Sequence, residues 1–234
     1  MTNKNLIYYS KDGYNKVAEQ YDSWKWQKFW HKNELPLIEN WISKLNVGIG
    51  LDAGTGSGNT LFPILKFGHK VIAVDNSDKM LRICSRKFEY YILNKQLTCR
   101  ELDISKQNFY HNNFDWITCN RVLSNIKNIG LAFKTFSNIL KENGQCFISD
   151  IHPLHNYTDT NIPFDKRKIH IETYKHSIKS IKDHIHNYGF EIIEFKEIYV
   201  NQLLDQTLLD EFPNLLFQDT PIFYYTIIKK CIRI

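Results

Sequence analysis

From residue 46 onward, short apolar runs alternate with longer stretches in which apolar residues recur every three or four positions. The runs 47–53, 70–75, 97–102, 114–119 and 145–151 predict strands, and 59–67, 77–94 and 131–141 predict helices in three of the four intervals between them. Strand, helix, strand in repetition argues a parallel sheet wrapped on both faces, since parallel neighbours need a crossover connection. After residue 170 the order changes to a helix over 177–188 stopped by Gly189, a strand over 191–200, a Leu-rich stretch to about 216 and a strand over 222–228. Two closing strands without a crossover helix of the earlier kind predict an antiparallel edge.

Residues 12–45 read as helical, with Val17, Ala18, Tyr21 and Trp24 at helical spacing and an aromatic cluster of Tyr21, Trp24, Trp26, Phe29 and Trp30. Such rings serve either as a lid over a pocket or as the packing that fixes two helices to the core. Leu203, Leu204, Leu208, Leu209, Leu215 and Leu216 predict an amphipathic helix on the core, with an interface as the alternative. No repeat and no Gly/Ser- or Pro-rich linker divides the chain, so one domain with additions at its edges is expected.

Composition narrows the class. With 43% hydrophobic and 24% charged residues, 10 Gly and 6 Pro in 234 residues, the chain is globular rather than disordered or fibrous. Thirty Lys plus Arg against 25 Asp plus Glu leave +5, an excess that aids anion capture without indicating nucleic acid. No run approaches the roughly 18 apolar residues of a membrane span, and the opening Met1 to Asn5 is polar. A soluble, cytoplasmic protein without membrane contact is expected, as a monomer or homodimer. The five cysteines are scattered without a C-x-x-C, so neither a disulfide framework nor a zinc clip is predicted, and Cys119 and Cys146 should pack as small hydrophobes.

The densest chemical signal is Leu51-Asp52-Ala53-Gly54-Thr55-Gly56-Ser57-Gly58-Asn59-Thr60, directly after the first predicted core strand. Glycines there let the backbone approach a ligand closely. No Gly-Lys-Ser/Thr follows, so it is not a P-loop, and the third glycine comes one residue early for the dinucleotide fingerprint. Asp52 would repel a pyrophosphate but suits a ligand with an ammonium group.

Residues 52–58 satisfy D/E-x-G-x-G-x-G, and here the chain resembles the class I (Rossmann-like) S-adenosylmethionine-dependent methyltransferases. Val71 to Ser77 with Met80-Leu81, Leu102-Asp103-Ile104, and Phe114 to Asn120 with Leu123 are similar to that family's later segments, in the right order. The resemblance implies a three-layer α/β sandwich: a seven-stranded, mostly parallel doubly wound sheet, an antiparallel last strand and an N-terminal helical lid. It also implies a division into a lid over 1–45, a cofactor-binding core over 46–151, and an acceptor pocket with closing strands over 152–234.

The implied cofactor is S-adenosyl-L-methionine, with S-adenosyl-L-homocysteine as product. Its expected contacts are Asp52, Gly54, Thr55, Gly56 and Gly58 in the loop, with Asp75 and Asn76 at the ribose. Met80, Asp103 and Ile104 are expected around the adenine, and Asn120 at the exit of the fourth strand of the core; Asp103 otherwise reads as a helix cap or turn residue, and Asn76 as a turn residue before the Ser77 cap. A carboxylate such as Asp75 accepts two charge-assisted bonds from vicinal hydroxyls.

For the acceptor side, Ser149-Asp150-Ile151-His152-Pro153 and Tyr174-Lys175-His176-Ser177 stand out, the first beyond a strand's C-terminal end, where ligands of open α/β sheets bind. His152 titrates near neutrality and suits proton transfer, or else shapes the loop before Pro153. His176 and Tyr21 complete the expected catalytic set, Tyr21 by its resemblance to a lid tyrosine. No metal is expected, because His152-x-x-His155 repeats no metal motif. The basic run 165–182 reads as a solvated face, or as a contact for an anionic substrate or carrier.

The expected function is methyl transfer to an oxygen, nitrogen or carbon of a small molecule. Asn120-Arg121-Val122-Leu123 stands where amino-methyltransferases carry N/D-P-P-Y/F, which disfavours nucleic-acid acceptors. Two alternatives are carboxyl methylation of a carrier-bound acyl group and a catalytically silent nucleotide-binding module serving a partner. A nicotinamide oxidoreductase is disfavoured by the glycine spacing and by Asp52.

Overall fold

The computed structural model describes residues 6–106, 114–157, 159–215 and 219–231; the opening 1–5 and Leu216 lie outside them. The chain runs β1 (Ile7–Tyr8), α1 (Ser10–Tyr21), α2 (Lys25–Asn33), α3 (Leu35–Ile42), β2 (Ile49–Ala53), α4 (Leu61–Lys66) and β3 (Lys70–Asp75). It continues with α5 (Asp78–Lys87), α6 (Glu89–Leu93), β4 (Leu97–Glu101), β5 (Phe114–Asn120), α7 (Ile129–Ile139) and β6 (Leu140–Ile151). The last third is β7 (Thr160–Phe164), β8 (Arg167–Ile171), α8 (Ile178–Asn187), β9 (Phe190–Ile198) and β10 (Phe223–Lys230).

Among the described residues, seven strands form one sheet in the order β4-β3-β2-β5-β6-β10-β9. The pairs from β4 through β6 are parallel, and β10 runs antiparallel between β6 and β9. The chain steps outward from β2 to β4, then returns to lay β5 on the other side of β2. That reversal opens a crevice beyond the C-terminal ends of β2 and β5, where an open α/β sheet binds its ligand.

Both faces of the sheet are covered. Trp41, Ile64, Leu65, Trp116 and Phe147 bury against one, while Leu51, Ile117, Phe133, Phe136 and Ile185 bury against the other. Strands buried on both faces explain the near-continuous apolar runs in the sequence. Cys119 and Cys146 are fully buried, as small hydrophobes are. Gly50 pairs with Trp116, and a Cβ at Gly50 would come within 2.1 Å of the indole. The indole is itself held by a hydrogen bond from its Nε1 to His69 Nδ1 of 2.9 Å. Gly50→Ala should therefore cost about 3 kcal/mol by forced overpacking, read as a lower denaturation midpoint in urea; an unchanged midpoint would show that the strand pair yields freely.

Three expectations change. The helix over 77–94 is two helices, because Phe88 leaves helical backbone (φ −117°, ψ 25°) and buries its ring. The Leu-rich stretch forms short 3-10 turns at Val200–Gln202, Gln206–Glu211 and Pro213–Leu215 instead of an amphipathic helix. The Asp205 carboxylate accepts the Thr207 N–H at 3.0 Å and Pro213 lacks an N–H, so the helical ladder is interrupted at both places. The basic run begins in a hairpin: β8 pairs antiparallel with β7 and parallel with β1 in a small second sheet. Ile162, Ile169 and Ile171 from that sheet pack on Val17, Ala18, Met80 and Ile83, which seats α1 over the crevice. Among the described residues, no helix is long and apolar enough to cross a membrane.

Candidate active site

A cleft open to solvent lies at the crevice. Its floor is the loop after β2, where Gly54 and Gly56 take left-handed backbone (φ +72° and +55°) that favours glycine. The Gly54 and Thr55 N–H groups donate to Val74 O at 2.8 and 2.9 Å, tying the loop to β3. A Cβ on Gly56 would meet nothing within 4 Å, so this glycine faces open space in the cleft. Gly58 does not line the cleft: a Cβ there would meet Phe88 at 2.7 Å and Cys84 at 2.9 Å, so its bareness serves packing against α5.

Asp75 ends β3. Its Oδ2 accepts the Gly56 N–H and its Oδ1 the Ser77 N–H, each at 2.8 Å, while the carboxylate lines the cleft. Burial pushes its pKa up to about 6, against the pull of those backbone donors. Asp52 lines the cleft too, but its carboxylate accepts Thr118 Oγ1 at 2.7 Å and Thr60 Oγ1 at 3.4 Å. Burial raises its pKa as well.

Asp103 accepts both the N–H and Oγ of Ser105 through Oδ1, at 2.9 and 2.6 Å, and its Oδ2 lies 3.4 Å from Lys106 Nζ. Its pKa is lowered; burial opposes this, and the Ser105 and Lys106 donors outweigh it. Asn76, Met80, Ile104, Thr55 and Asn120 complete the wall. Thr55 Oγ1 and Asn120 Nδ2 are buried without a hydrogen-bond partner among the described residues. An open face at Gly56, a carboxylate at the strand end and two orphaned polar atoms fit a ligand with vicinal hydroxyls and further polar groups.

A second cavity, also open to solvent, adjoins the first, and Tyr14, Tyr21, Arg121 and Asn125 line both. Trp24, Trp26, Trp30, His155 and Tyr157 form much of its remaining wall. Tyr21 thus stands between the two, its ring edge-on to Tyr14 at 5.9 Å, and burial raises its pKa.

His152 and His176 are not brought to either cavity. The His152 ring is buried, lies 2.7 Å from Glu197 Oε1 through Nε2 and accepts the Leu154 N–H at Nδ1, 3.2 Å away. It ties the end of β6 to β9 and shapes the loop before Pro153, so the expected proton transfer is withdrawn from it. Burial, larger than the pull of Glu197, lowers its pKa. His176 Nε2 bonds the Ile126 carbonyl at 2.8 Å, a loop tie outside both cavities.

Several site residues escaped the sequence reading. Arg121 follows β5 in left-handed backbone (φ +57°), its N–H donating to Ser149 O at 2.7 Å. Its guanidinium pairs with buried Glu34 and stands 5.1 Å from the Trp30 ring centre. Asp22, at the end of α1, accepts Ser57 Oγ at 2.5 Å and Asn59 Nδ2 at 3.0 Å, and Asn15 accepts Ser77 Oγ at 2.6 Å. These bonds pin α1 to both loops of the cleft. Only their polarity within an apolar helical pattern marked them in the sequence.

Comparison with known proteins points to methyltransferases. The family model for a methyltransferase domain matches residues 51–148. An uncharacterized methyltransferase of Schizosaccharomyces pombe is 26% identical over 128 residues, 51% of this chain and 44% of that protein. The match therefore spans less than half the length of that relative. Among solved structures, a S-adenosylmethionine-dependent methyltransferase from Clostridium acetobutylicum is 20% identical with a TM-score of 0.65, over 94% of this chain and 99% of that one. A Haemonchus contortus phosphoethanolamine N-methyltransferase, complexed with phosphomonomethylethanolamine and S-adenosylhomocysteine, is 14% identical with a TM-score of 0.70, over 97% of this chain and 61% of that one.

Proposed function

We propose, for a chain whose residues 51–148 match a methyltransferase domain and whose fold is that of the class I S-adenosylmethionine-dependent methyltransferases, that it transfers a methyl group to a small molecule held in the second cavity. The cofactor supplies an electrophilic methyl on a sulfonium. Asp75 carries the reading: a carboxylate at a strand end, facing the cleft beside the open Gly56, is placed to accept the two ribose hydroxyls. Ile104 and Met80 would hold the adenine, with Asp103 accepting from its amine, and Asn76, Thr55 and Asn120 would serve the remaining polar groups.

Tyr14, Tyr21, Arg121 and Asn125 form the neck through which the acceptor reaches the methyl group. Most of the acceleration then comes from holding two reactants in line and dry, an effect worth up to about 7 to 11 kcal/mol in well-oriented intramolecular cases. In this reading the described residues 6–45, joined by the hairpin of β7 and β8, cover the nucleotide, and those from 46–106 and 114–151 bind it. The remainder of the chain shapes the acceptor side. The five free cysteines accord with a cytoplasmic setting, and the chain acts as a monomer or homodimer without nucleic acid. A second reading, carboxyl methylation of a carrier-bound acyl group, is favoured by the exposed cations Lys166, Arg167 and Lys168 on the lid hairpin.

Calorimetric titration of the stripped protein with S-adenosylhomocysteine beside NAD tests the cofactor; binding of the first alone is expected, and binding of NAD alone would end the reading. A mass gain of one methyl group in candidate acceptors tests the reaction. Affinity should also depend on pH. The free cleft favours neutral Asp75 below about 6, and the ribose hydroxyls favour the carboxylate. Affinity should rise as pH increases from 5 toward 6, approaching tenfold per unit well below the pKa, and level off above it. The unliganded fold shows the opposite sign. Its Asp75 loses its proton at higher pH than the unfolded chain, so this group's contribution to stability falls as pH rises from about 4 to about 6. A flat affinity from pH 5 to 7 would remove Asp75 titration from binding.

A further inference from the structure

We propose that His155 is a specificity-determining residue, and that the second cavity takes a flat, uncharged aromatic molecule held by one hydroxyl group on the His155 ring. This rests on the second cavity being the acceptor side. His155 lines the cavity with 9% of its surface exposed, and neither ring nitrogen has a hydrogen-bond partner among the described residues. Its ring lies edge-on to Trp26 at 6.5 Å and 5.8 Å from Tyr157. Leaving two buried ring nitrogens unsatisfied is costly, and a ligand atom is the natural remedy.

The ligand's polarity follows from the neighbours. Lys175 donates its Nζ to the His155 carbonyl at 2.8 Å and lies over the Tyr157 ring at 4.9 Å. Arg121 is paired with Glu34, and Asp159 with His170 at 2.5 Å. His152 is tied to Glu197. Burial, with Lys175 and His152 close by, lowers the His155 pKa to about 4, so the ring is neutral near pH 7. It offers one N–H and one bare nitrogen. A hydroxyl can serve either nitrogen, whereas a carboxylate serves only the N–H and an ammonium only the bare nitrogen. The walls of Trp24, Trp26, Trp30 and Tyr157 favour a planar, apolar body.

The test is equilibrium dialysis of the full chain, saturated with S-adenosylhomocysteine, against 2-naphthol and 2-methylnaphthalene. Wild type should bind 2-naphthol about five- to tenfold tighter, the worth of one hydrogen bond in a buried site. His155→Phe should bind the two equally, and His155→Gln should keep part of the preference. Equal binding by wild type, a preference kept by His155→Phe, or no binding of either probe would overturn the inference; the wild-type arm needs no variant to fold. Absence of S-adenosylhomocysteine binding, measured first by calorimetry, would instead strike the reading of the first cleft.

Discussion

Asp75→Ala should weaken binding of S-adenosylhomocysteine by at least about 100-fold. The carboxylate is assigned two charge-assisted hydrogen bonds from the ribose, each worth about 1.5 to 3 kcal/mol, so their loss removes about 3 kcal/mol or more. The same substitution releases the Gly56 and Ser77 N–H groups that Asp75 now holds at 2.8 Å, loosening the loop that faces the ligand. Asp75→Asn keeps the shape but loses the charge and one acceptor, and should fall between alanine and wild type. Calorimetry at pH 7.5, where wild-type Asp75 is ionised, provides the comparison. Binding by Asp75→Ala within tenfold of wild type would sink the ribose assignment.

Glu34→Ala should lower the melting temperature by about 10 °C. Glu34 and Arg121 form an ion pair with side-chain exposures of 2% and 15%, and Ser149 Oγ lies 2.7 Å from Glu34 Oε1. Removing the carboxylate leaves a buried guanidinium without its counter-ion, a change that costs about 3 to 5 kcal/mol. In a protein of this size each kcal/mol shifts the melting temperature by about 2 to 4 °C. Arg121 is also in left-handed backbone, a conformation costing about 1 to 2 kcal/mol for a residue with a Cβ. The ion pair and the Arg121 N–H bond to Ser149 hold it there, so cofactor affinity should fall with stability. Calorimetric melting of Glu34→Ala beside Glu34→Gln checks this, since glutamine keeps a polar partner. A shift under 3 °C in Glu34→Ala would mean that Arg121 finds solvent or another partner.

The first cleft was legible because its local structure is set by near neighbours. Asp52 to Gly58 form one loop, Asp75 to Met80 a strand end and the start of a helix, and each fixes its geometry within a few residues. The lid was legible only in part: the spacing of Val17 and Ala18 marked α1, but the strands over it, Thr160–Phe164 and Arg167–Ile171, read as a polar, basic run. Their apolar positions are few, and they fold by pairing with one another and with β1, far away in sequence. His152 was misplaced for a related reason. Its position beyond a strand end suggested a cavity, but Glu197, from a strand 45 residues later, holds the ring elsewhere.

What the sequence determined by itself was the sheet, the glycine loop and the acids around it, because strand periodicity, helix caps and backbone freedom at glycine act over neighbouring residues. Only the tertiary structure decided which aromatic rings wall the second cavity, which histidine faces it and which carboxylate pairs with Arg121. Those contacts join α1, α2, β5, β6 and the loop after β6, and their partners are chosen by packing and by the need to satisfy buried polar groups, neither of which leaves a spacing to read.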